Sequence, residues 1–277
     1  MQDKFVMKGK DRYYHCPLCN EDHPSVTTIL DVIGSQALMG WRQKMGTKKL
    51  LMYETELSNH ISNDLMKELR VRMQKKWEAL DETSNFWKNG SENAKDAADH
   101  GTMAHAAFEM YLGGREVDES SLSEPARNAF GVFRSFAESN KIETLATEKT
   151  FYNCKIGYAG TADWVGRLNG KLTLSDHKTS TGIFEKNIIQ VWANAIADEM
   201  MNGKNLYEQV AIWRFGKDGS TDILISGRNG RLVLNGKEVQ ESGYFGSYEQ
   251  ARVLIQCCVD WFKYKKKWES IFPYKRK

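Results

Sequence analysis

Long apolar runs and a strong net charge are both missing from this chain of 277 residues. No run approaches the ~20 consecutive apolar residues that cross a bilayer, so the sequence predicts no membrane partner. The N-terminus lacks the apolar core of a signal peptide, and five cysteines without such a signal argue for the reducing cytoplasm and against disulfides. Because the net charge is only +3, any affinity for nucleic acid must come from local clusters.

The most informative feature present is a trio of charged residues, Asp163, Asp176 and Lys178. Two segments with strand character flank a turn at Asn169-Gly170, which predicts a β-hairpin. In that hairpin the two aspartates lie at the ends of neighbouring strands remote from the turn. Asp176 and Lys178 are two residues apart, so they share a face of their strand.

Two carboxylates and one ammonium group in a small volume suit a divalent cation and a phosphate. Mg²⁺ takes oxygen ligands and is usually held by one or two carboxylates plus substrate phosphates. A bound metal lowers the pKa of a coordinated water, and a nearby lysine positions that water or stabilises the developing charge. The alternative interpretation is a solvated hairpin with ordinary charged residues, because Asp-x-Lys is common by chance.

Further polar residues stand on either side of the hairpin in the sequence. His105 and Glu109 are four apart in a segment of helical periodicity, so both project from one side of a helix. Glu148 lies in an alternating stretch just ahead of the hairpin, and Gln190 and Asn194 flank the apolar stripe of the helix after it. Each also has a structural interpretation: a hydrogen-bonded helix histidine, a surface carboxylate, a cross-strand partner of a lysine, or helix-surface amides.

The order of these motifs resembles the RecB-like branch of the PD-(D/E)XK nuclease superfamily. The motifs are Gly-Thr-x-x-His from Gly101, Gly-x-x-Asp ending at Asp163, Asp-x-Lys-Thr-Ser from Asp176, and a glutamine on the next helix. The resemblance covers residues 101–197, and Pro-Ser-Val-Thr-Thr-Ile-Leu at 24–30 is similar to the opening of phage and mitochondrial genome maintenance exonucleases. It implies an α/β fold, with a restriction-endonuclease-like core of a mixed β-sheet flanked by helices.

The resemblance also implies roles for individual residues. His105, Asp163 and Asp176 match the family's metal ligands, and the backbone carbonyl of His177 adds a fourth. The implied cofactor is one or two Mg²⁺ or Mn²⁺ ions, and the acidic residue before x-Lys is often Glu, with Asp an accepted variant.

The remaining family positions concern catalysis and substrate contact. Lys178 matches the catalytic lysine, and Gln190 matches the glutamine that steadies the active site. The helix of that glutamine usually carries Tyr four residues on, and here the position is Asn194. Glu109, Glu148 and Asn194 are therefore secondary candidates.

Periodicity and turn residues predict the rest of the chain coarsely. An N-terminal elaboration of strand and helix over residues 1–90, a candidate wall of a DNA channel, precedes a nuclease core over residues 91–277. Residues 1–30 are predicted to form a strand or hairpin that leads into a helix. Residues 36–112 are predicted to be largely helical, and another helix runs from Pro125 through Phe136. Strands are predicted over residues 145–154, 158–168, 171–178, 207–215 and 221–226, followed by a long terminal helix.

Two basic clusters are candidates for DNA contact through phosphates. One comprises Arg42, Lys44, Lys48 and Lys49, and the other Lys265, Lys266 and Lys267. Near the second cluster, the helical spacing of Leu254, Cys257, Trp261 and Trp268 predicts that the tryptophans pack on the core. Stacking of aromatic side chains on bases is the alternative.

Cys16 and Cys19 form a Cys-x-x-Cys pair, which is half of a zinc site. His15 and His23 are nearby, yet so short a loop would be strained in supplying four tetrahedral ligands. Some relatives in the branch hold an iron–sulfur cluster between one N-terminal and three C-terminal cysteines, but the Cys257-Cys258 doublet lacks that spacing. The sequence favours neither, and structural zinc stays an alternative.

The predicted function is metal-dependent hydrolysis of DNA phosphodiester bonds, releasing a 5′-phosphate and a 3′-hydroxyl, as the resemblance implies. An exonuclease is preferred because the relatives nearest in motif process DNA ends. The phage-like resemblance implies DNA recombination, replication or degradation, with proteins of those processes as partners, in the host-cell cytoplasm if a phage encodes the chain. The alternatives are a structure-specific endonuclease of the same fold, a non-catalytic DNA-binding protein, and a zinc-stabilised interaction module.

Overall fold

The computed structural model describes residues 5–31, 96, 98–203, 206–239 and 247–271. The chain divides into two compact units, one made of residues 1–33 with 100–277 and the other of residues 34–99. The domain boundary predicted near residue 90, and the basic cluster of Arg42, Lys44, Lys48 and Lys49, lie outside the described residues.

The described residues form ten strands and five α-helices. The strands are β1 (Val6–Lys8), β2 (Asp11–Cys16), β3 (Glu21–Pro24), β4 (Ile142–Asn153), β5 (Tyr158–Leu168), β6 (Lys171–Lys178), β7 (Gln209–Phe215), β8 (Thr221–Gly227), β9 (Leu232–Leu234) and β10 (Lys237–Glu238). The helices are α1 (Val26–Leu30), α2 (residues 98–112), α3 (Glu124–Ser139), α4 (Glu185–Asn202) and α5 (Tyr248–Ile271). None of these helices is both long and apolar enough to cross a membrane.

The larger of two sheets has seven strands in the order β10-β9-β8-β7-β6-β5-β4, and the smaller has the order β1-β2-β3. Within the larger sheet β6 and β7 run parallel, while the other neighbours are antiparallel. A parallel pair needs a crossover connection, and α4 supplies it. The prediction of a mixed sheet flanked by helices is confirmed.

The hairpin of β5 and β6 forms around the turn that the sequence indicated. Asn169 and Gly170 have φ angles of 51° and 84°, the left-handed values that a tight two-residue hairpin turn demands. The register runs from Leu168 opposite Lys171 to Trp164 opposite Ser175. Because side chains alternate along each strand, this register determines which residues face each layer of helices.

Helices cover both faces of the large sheet. On one face α1, α4 and α5 enclose a core that includes Trp192 and Ile196. On the other face α2 and α3 pack aromatic residues against the sheet, where the rings of Phe108 and Phe133 stack with centroids 4.5 Å apart. Each fully buried side chain of this size contributes about 1.5–3 kcal/mol relative to exposure. Two cores therefore hold the sheet from opposite sides.

Helix α5 buries a different face from the one predicted. Its buried stripe is Ala251, Ile255, Cys258, Val259 and Phe262, whereas Cys257 is exposed and Leu254 only half-buried. Trp261 is 56% exposed and stacks on Tyr264, so the prediction that Trp261 packs on the core is wrong. Both stripes have helical spacing, so spacing alone does not select the buried face. The side chain of Trp268 lies outside the described residues.

Candidate active site

Three carboxylates lie side by side on β4, β5 and β6, the three neighbouring strands at one edge of the large sheet. Thr147 pairs with Trp164 and Lys149 with Ala162, which places Glu148 of β4 opposite Asp163 of β5. Continued by one residue past the Trp164–Ser175 pair, the β5–β6 register places Asp163 opposite Asp176. All three line one cleft of about 680 Å³. We call Glu148, Asp163 and Asp176 the carboxylate row.

Glu148 has an unusual backbone conformation in the middle of its strand. Its φ angle of 49° is in the left-handed region, which costs a residue other than glycine on the order of 1–3 kcal/mol. The next side chain along the strand, Lys149, reaches Asp198 on α4, with its Nζ 3.1 Å from the carboxylate. This local distortion accompanies the entry of the Glu148 side chain into the cleft lining.

Asp176, Lys178 and Gln190 form a connected group. The Gln190 amide nitrogen donates to Asp176 Oδ1 at 2.8 Å, and Lys178 Nζ donates to Gln190 Oε1 at 3.4 Å. Asp176 Oδ2 forms an ion pair with the Lys178 ammonium group. Each oxygen of this buried carboxylate therefore has a polar side-chain partner, as buried charges require.

Electrostatics keep the lysine of this group charged. Burial acts to lower the pKa of Lys178, but the Asp176 and Asp163 carboxylates outweigh it, and the pKa is raised above its ordinary value. Burial also raises the pKa of Asp176, with Asp163 adding to the rise and Lys178 opposing it. The group therefore combines a permanent cation with a carboxylate that a further cation would stabilise.

Asp163 connects the row to helix α2. Its Oδ2 accepts a hydrogen bond from the backbone N–H of His177 at 2.5 Å and lies 3.8 Å from His105 Nδ1. The His177 ring is buried and stacked on Trp213, with centroids 5.0 Å apart, so this residue meets the site through its backbone. Helix α2 approaches closely at Gly101, where a Cβ would lie 3.0 Å from Thr179 Oγ1.

Three polar side chains on one side of α4 tie that helix to the sheet. Gln190, Asn194 and Asp198 recur every four residues and contact Asp176, the Thr161 carbonyl and Lys149 respectively. Asn194 is buried, and its Nδ2 donates to Thr161 O at 3.0 Å. Asn194 thus holds helix and strand together beside the cleft.

The small sheet supplies cleft residues that sequence reasoning missed. Phe5, Arg12 and Tyr14 line the cleft, with the Arg12 guanidinium 4.4 Å from the centre of the Phe5 ring. Thr161 Oγ1 donates to the Tyr14 hydroxyl at 3.3 Å. No motif distinguishes these three residues in the sequence, because only long-range folding brings them to the carboxylates.

The remaining predicted site residues divide into two groups. His105, Glu109, Gln190 and Asn194 line the cleft together with the carboxylate row and Lys178, and Glu109 also lies 3.7 Å from Arg115 Nη2. The C-terminal lysines are elsewhere: Lys266 pairs with Asp11 at 2.5 Å, Lys265 is half-buried and Lys267 is exposed. Cys16 and Cys19 are also outside the cleft lining.

Two comparisons with known proteins found no relative of this chain. No protein-family model matches the chain, and no curated protein matches it. The chemistry open to the cleft therefore follows from its residues and their geometry.

Proposed function

We propose that this chain is a metal-dependent deoxyribonuclease with a PD-(D/E)XK core, acting as an exonuclease on linear DNA. The observation that carries the proposal is the convergence of the carboxylate row with Lys178 in one cleft. The order of elements supports the same assignment. An antiparallel hairpin is followed by a crossover helix and a parallel strand, and the glutamine of that helix donates to Asp176.

The donors in the cleft suit a hard divalent cation. Asp163, Asp176 and His105 are the proposed ligands, with the His177 carbonyl as a fourth and Glu148 as a further carboxylate. Oxygen-rich sets with carboxylates select Mg²⁺ or Mn²⁺ over softer ions. When bound, such an ion acts as a Lewis acid on the phosphate and lowers the pKa of a water.

Lys178 orients the attacking water and stabilises negative charge that develops on the phosphate. Its contacts with Asp176 and Gln190 hold the ammonium group in one position, which reduces the reorganisation needed during the reaction. The Asp176 and Asp163 carboxylates raise the pKa of Lys178 and favour its ammonium form, which donates hydrogen bonds. Gln190 is a positioning residue, since it contacts Asp176 and Lys178 together.

The cleft wall suits a DNA strand end. A volume of about 680 Å³ is within the ~300–1,000 Å³ range of small-molecule sites and admits a short length of strand better than a duplex. Arg12 offers a guanidinium for phosphate, and the exposed Phe5 ring beside it offers apolar surface for a base. These features support an enzyme that works on ends in preference to internal duplex sites.

The test is cleavage of end-labelled linear single- and double-stranded DNA, with closed circular DNA alongside, in Mg²⁺, Mn²⁺ or EDTA. The wild type is compared with Lys178→Ala and with Lys171→Ala, which removes an exposed lysine from the other end of the same strand. We expect metal-dependent loss of linear DNA that Lys178→Ala abolishes and Lys171→Ala preserves.

Other outcomes separate the alternatives. Nicked circles would identify an endonuclease working through the same site. DNA retention in a gel-shift assay without cleavage in either metal would favour the non-catalytic DNA-binding protein. Equal cleavage by Lys178→Ala and the wild type would refute the proposed site.

A further inference from the structure

A second cluster of metal-ligating side chains lies outside the cleft lining. Cys16, Cys19, His23 and Cys154 bring their thiol and imidazole atoms within 4.8 Å of one another. Cys16 ends β2, Cys19 follows in the turn, His23 is in β3, and Cys154 is in the turn after β4. The Cys-x-x-Cys pair therefore gains its third and fourth ligands from a neighbouring strand and from a turn 138 residues away.

The separations are close to those of a tetrahedral zinc site. Cys16 Sγ is 3.4 Å from Cys154 Sγ, and Cys19 Sγ is 3.1 Å from His23 Nε2. With Zn–S near 2.3 Å and Zn–N near 2.0–2.1 Å, tetrahedral angles separate two sulfurs by about 3.8 Å and a sulfur from a nitrogen by about 3.5 Å. Sub-ångström side-chain shifts therefore suffice to seat an ion among the four.

A tight turn holds the Cys-x-x-Cys pair together. Asn20 has a φ angle of 58°, and its N–H donates to the Cys16 carbonyl at 2.9 Å, closing the turn. The turn therefore keeps Cys19 beside the end of β2, where Cys16 Sγ meets Cys154 Sγ.

The two histidines of this region have different roles. His23 is buried, and its Nε2 lies 3.1 Å from Cys19 Sγ, on the side of the thiols. His15 is exposed and its Nδ1 lies 3.0 Å from Asp22 Oδ1, away from the thiols. The ligand set is therefore three cysteines and one histidine.

We propose that Cys16, Cys19, His23 and Cys154 bind a structural zinc ion. Thiolate and imidazole ligands select zinc, whereas the carboxylate row selects hard cations, so the two sites take different metals. Four protein ligands complete the coordination, which is typical of structural zinc sites and leaves no open position for chemistry. The assignment holds whether or not the cleft cleaves DNA.

The ion would fasten the small sheet to the large one. Cys16, Cys19 and His23 belong to β2, β3 and their turn, while Cys154 follows β4, the strand that carries Glu148. The same small sheet carries Arg12 and Tyr14 into the cleft lining. Loss of the metal is therefore expected to loosen one wall of the cleft as well as to reduce stability.

The experiment measures metal in the full-length protein, purified under reducing conditions without chelators. Mass spectrometry of the metal content is compared for the wild type, Cys154→Ser and Cys257→Ser, which removes an exposed cysteine of α5. We expect one zinc per chain in the wild type and Cys257→Ser, and none in Cys154→Ser. Cobalt substitution is expected to give the intense visible bands of a tetrahedral site and near-ultraviolet thiolate-to-cobalt charge transfer.

A further variant guards against a simple folding defect. His23→Cys keeps four zinc ligands and is expected to retain the ion and the wild-type Tm, whereas His23→Ala loses both. Zinc retained in Cys154→Ser, or a wild type without zinc even after refolding in its presence, would overturn the proposal. A Cys16–Cys154 disulfide found by mass spectrometry of the reducing preparation would also overturn it.

Discussion

His177 is expected to make the protein sensitive to mild acid. Its ring is 2% exposed and stacked on Trp213, and the nearest hydrogen-bonding group is Ser175 Oγ at 3.4 Å. Burial lowers the pKa from 6.5 to about 3, with the positive charges of His105 and Lys178 adding to the effect and Asp176 opposing it. His177 is therefore neutral in the folded protein throughout the physiological range.

The sign of the effect follows from proton binding by the two states. Below pH 6.5 the unfolded chain binds a proton at His177 that the folded protein does not bind until about pH 3. The contribution of neutral His177 to the free energy of unfolding is thus present in full above pH 6.5, and it is lost progressively as the pH falls toward 3. Between pH 7 and 4.5 the expected loss of unfolding free energy from this residue is about 2 to 3 kcal/mol.

Urea denaturation at several pH values between 7 and 4.5 measures this loss. His177→Leu replaces the ring with a side chain that never titrates, so its unfolding free energy is expected to fall less steeply with acid than that of the wild type. His15→Gln, at an exposed histidine, is expected to follow the wild type. Parallel pH profiles for the wild type and His177→Leu would refute the reasoning, whatever their absolute stabilities.

Three further predictions concern the cleft. Glu148→Gln is expected to slow metal-dependent cleavage roughly tenfold or more. Glu143→Gln, at an exposed position of the same strand, is expected to leave the rate unchanged. Equal cleavage rates for Glu148→Gln and the wild type would exclude a role for Glu148. Calorimetry is expected to show Mg²⁺ raising the Tm of the wild type but not of Asp176→Asn, because only the folded site binds the ion; a rise in both would place the ion elsewhere. Gly160→Ala is expected to cost about 1–3 kcal/mol by urea denaturation, because its Cβ would lie 2.0 Å from Asn194 Oδ1. Adding Asn194→Ala is expected to recover part of that loss, and purely additive losses would contradict the clash.

Local signals were sufficient for the centre of the fold. The Asn169-Gly170 turn has its own backbone requirement, so the hairpin and the approach of Asp163 to Asp176 could be predicted from the sequence. Likewise Gly113 and Gly114 end helix α2, as their low helix propensity indicates. The segments around these residues follow helix or strand periodicity closely, and the structure places their boundaries within a few residues of those predicted.

Features that depend on distant partners could not be predicted in this way. The left-handed backbone at Glu148 has no local signal, because glutamate rarely adopts it without tertiary support. Cys154 is isolated in the sequence and becomes a ligand candidate only when β4 brings its turn beside Cys16. On α5 two stripes have the same spacing, and packing against other elements selects Ile255 over Trp261.

The carboxylate row crosses strands that differ in their resistance to local opening. Asp163 and Asp176 belong to β5 and β6, which have neighbours on both sides, while Glu148 belongs to β4, which among the described residues pairs only with β5. Edge strands fray at lower free energy than interior ones, so amide hydrogens near Glu148 are expected to exchange before those of β6. On heating, β4 is therefore expected to open before β5 and β6, so that Glu148 leaves the cleft while Asp163 and Asp176 are still in place.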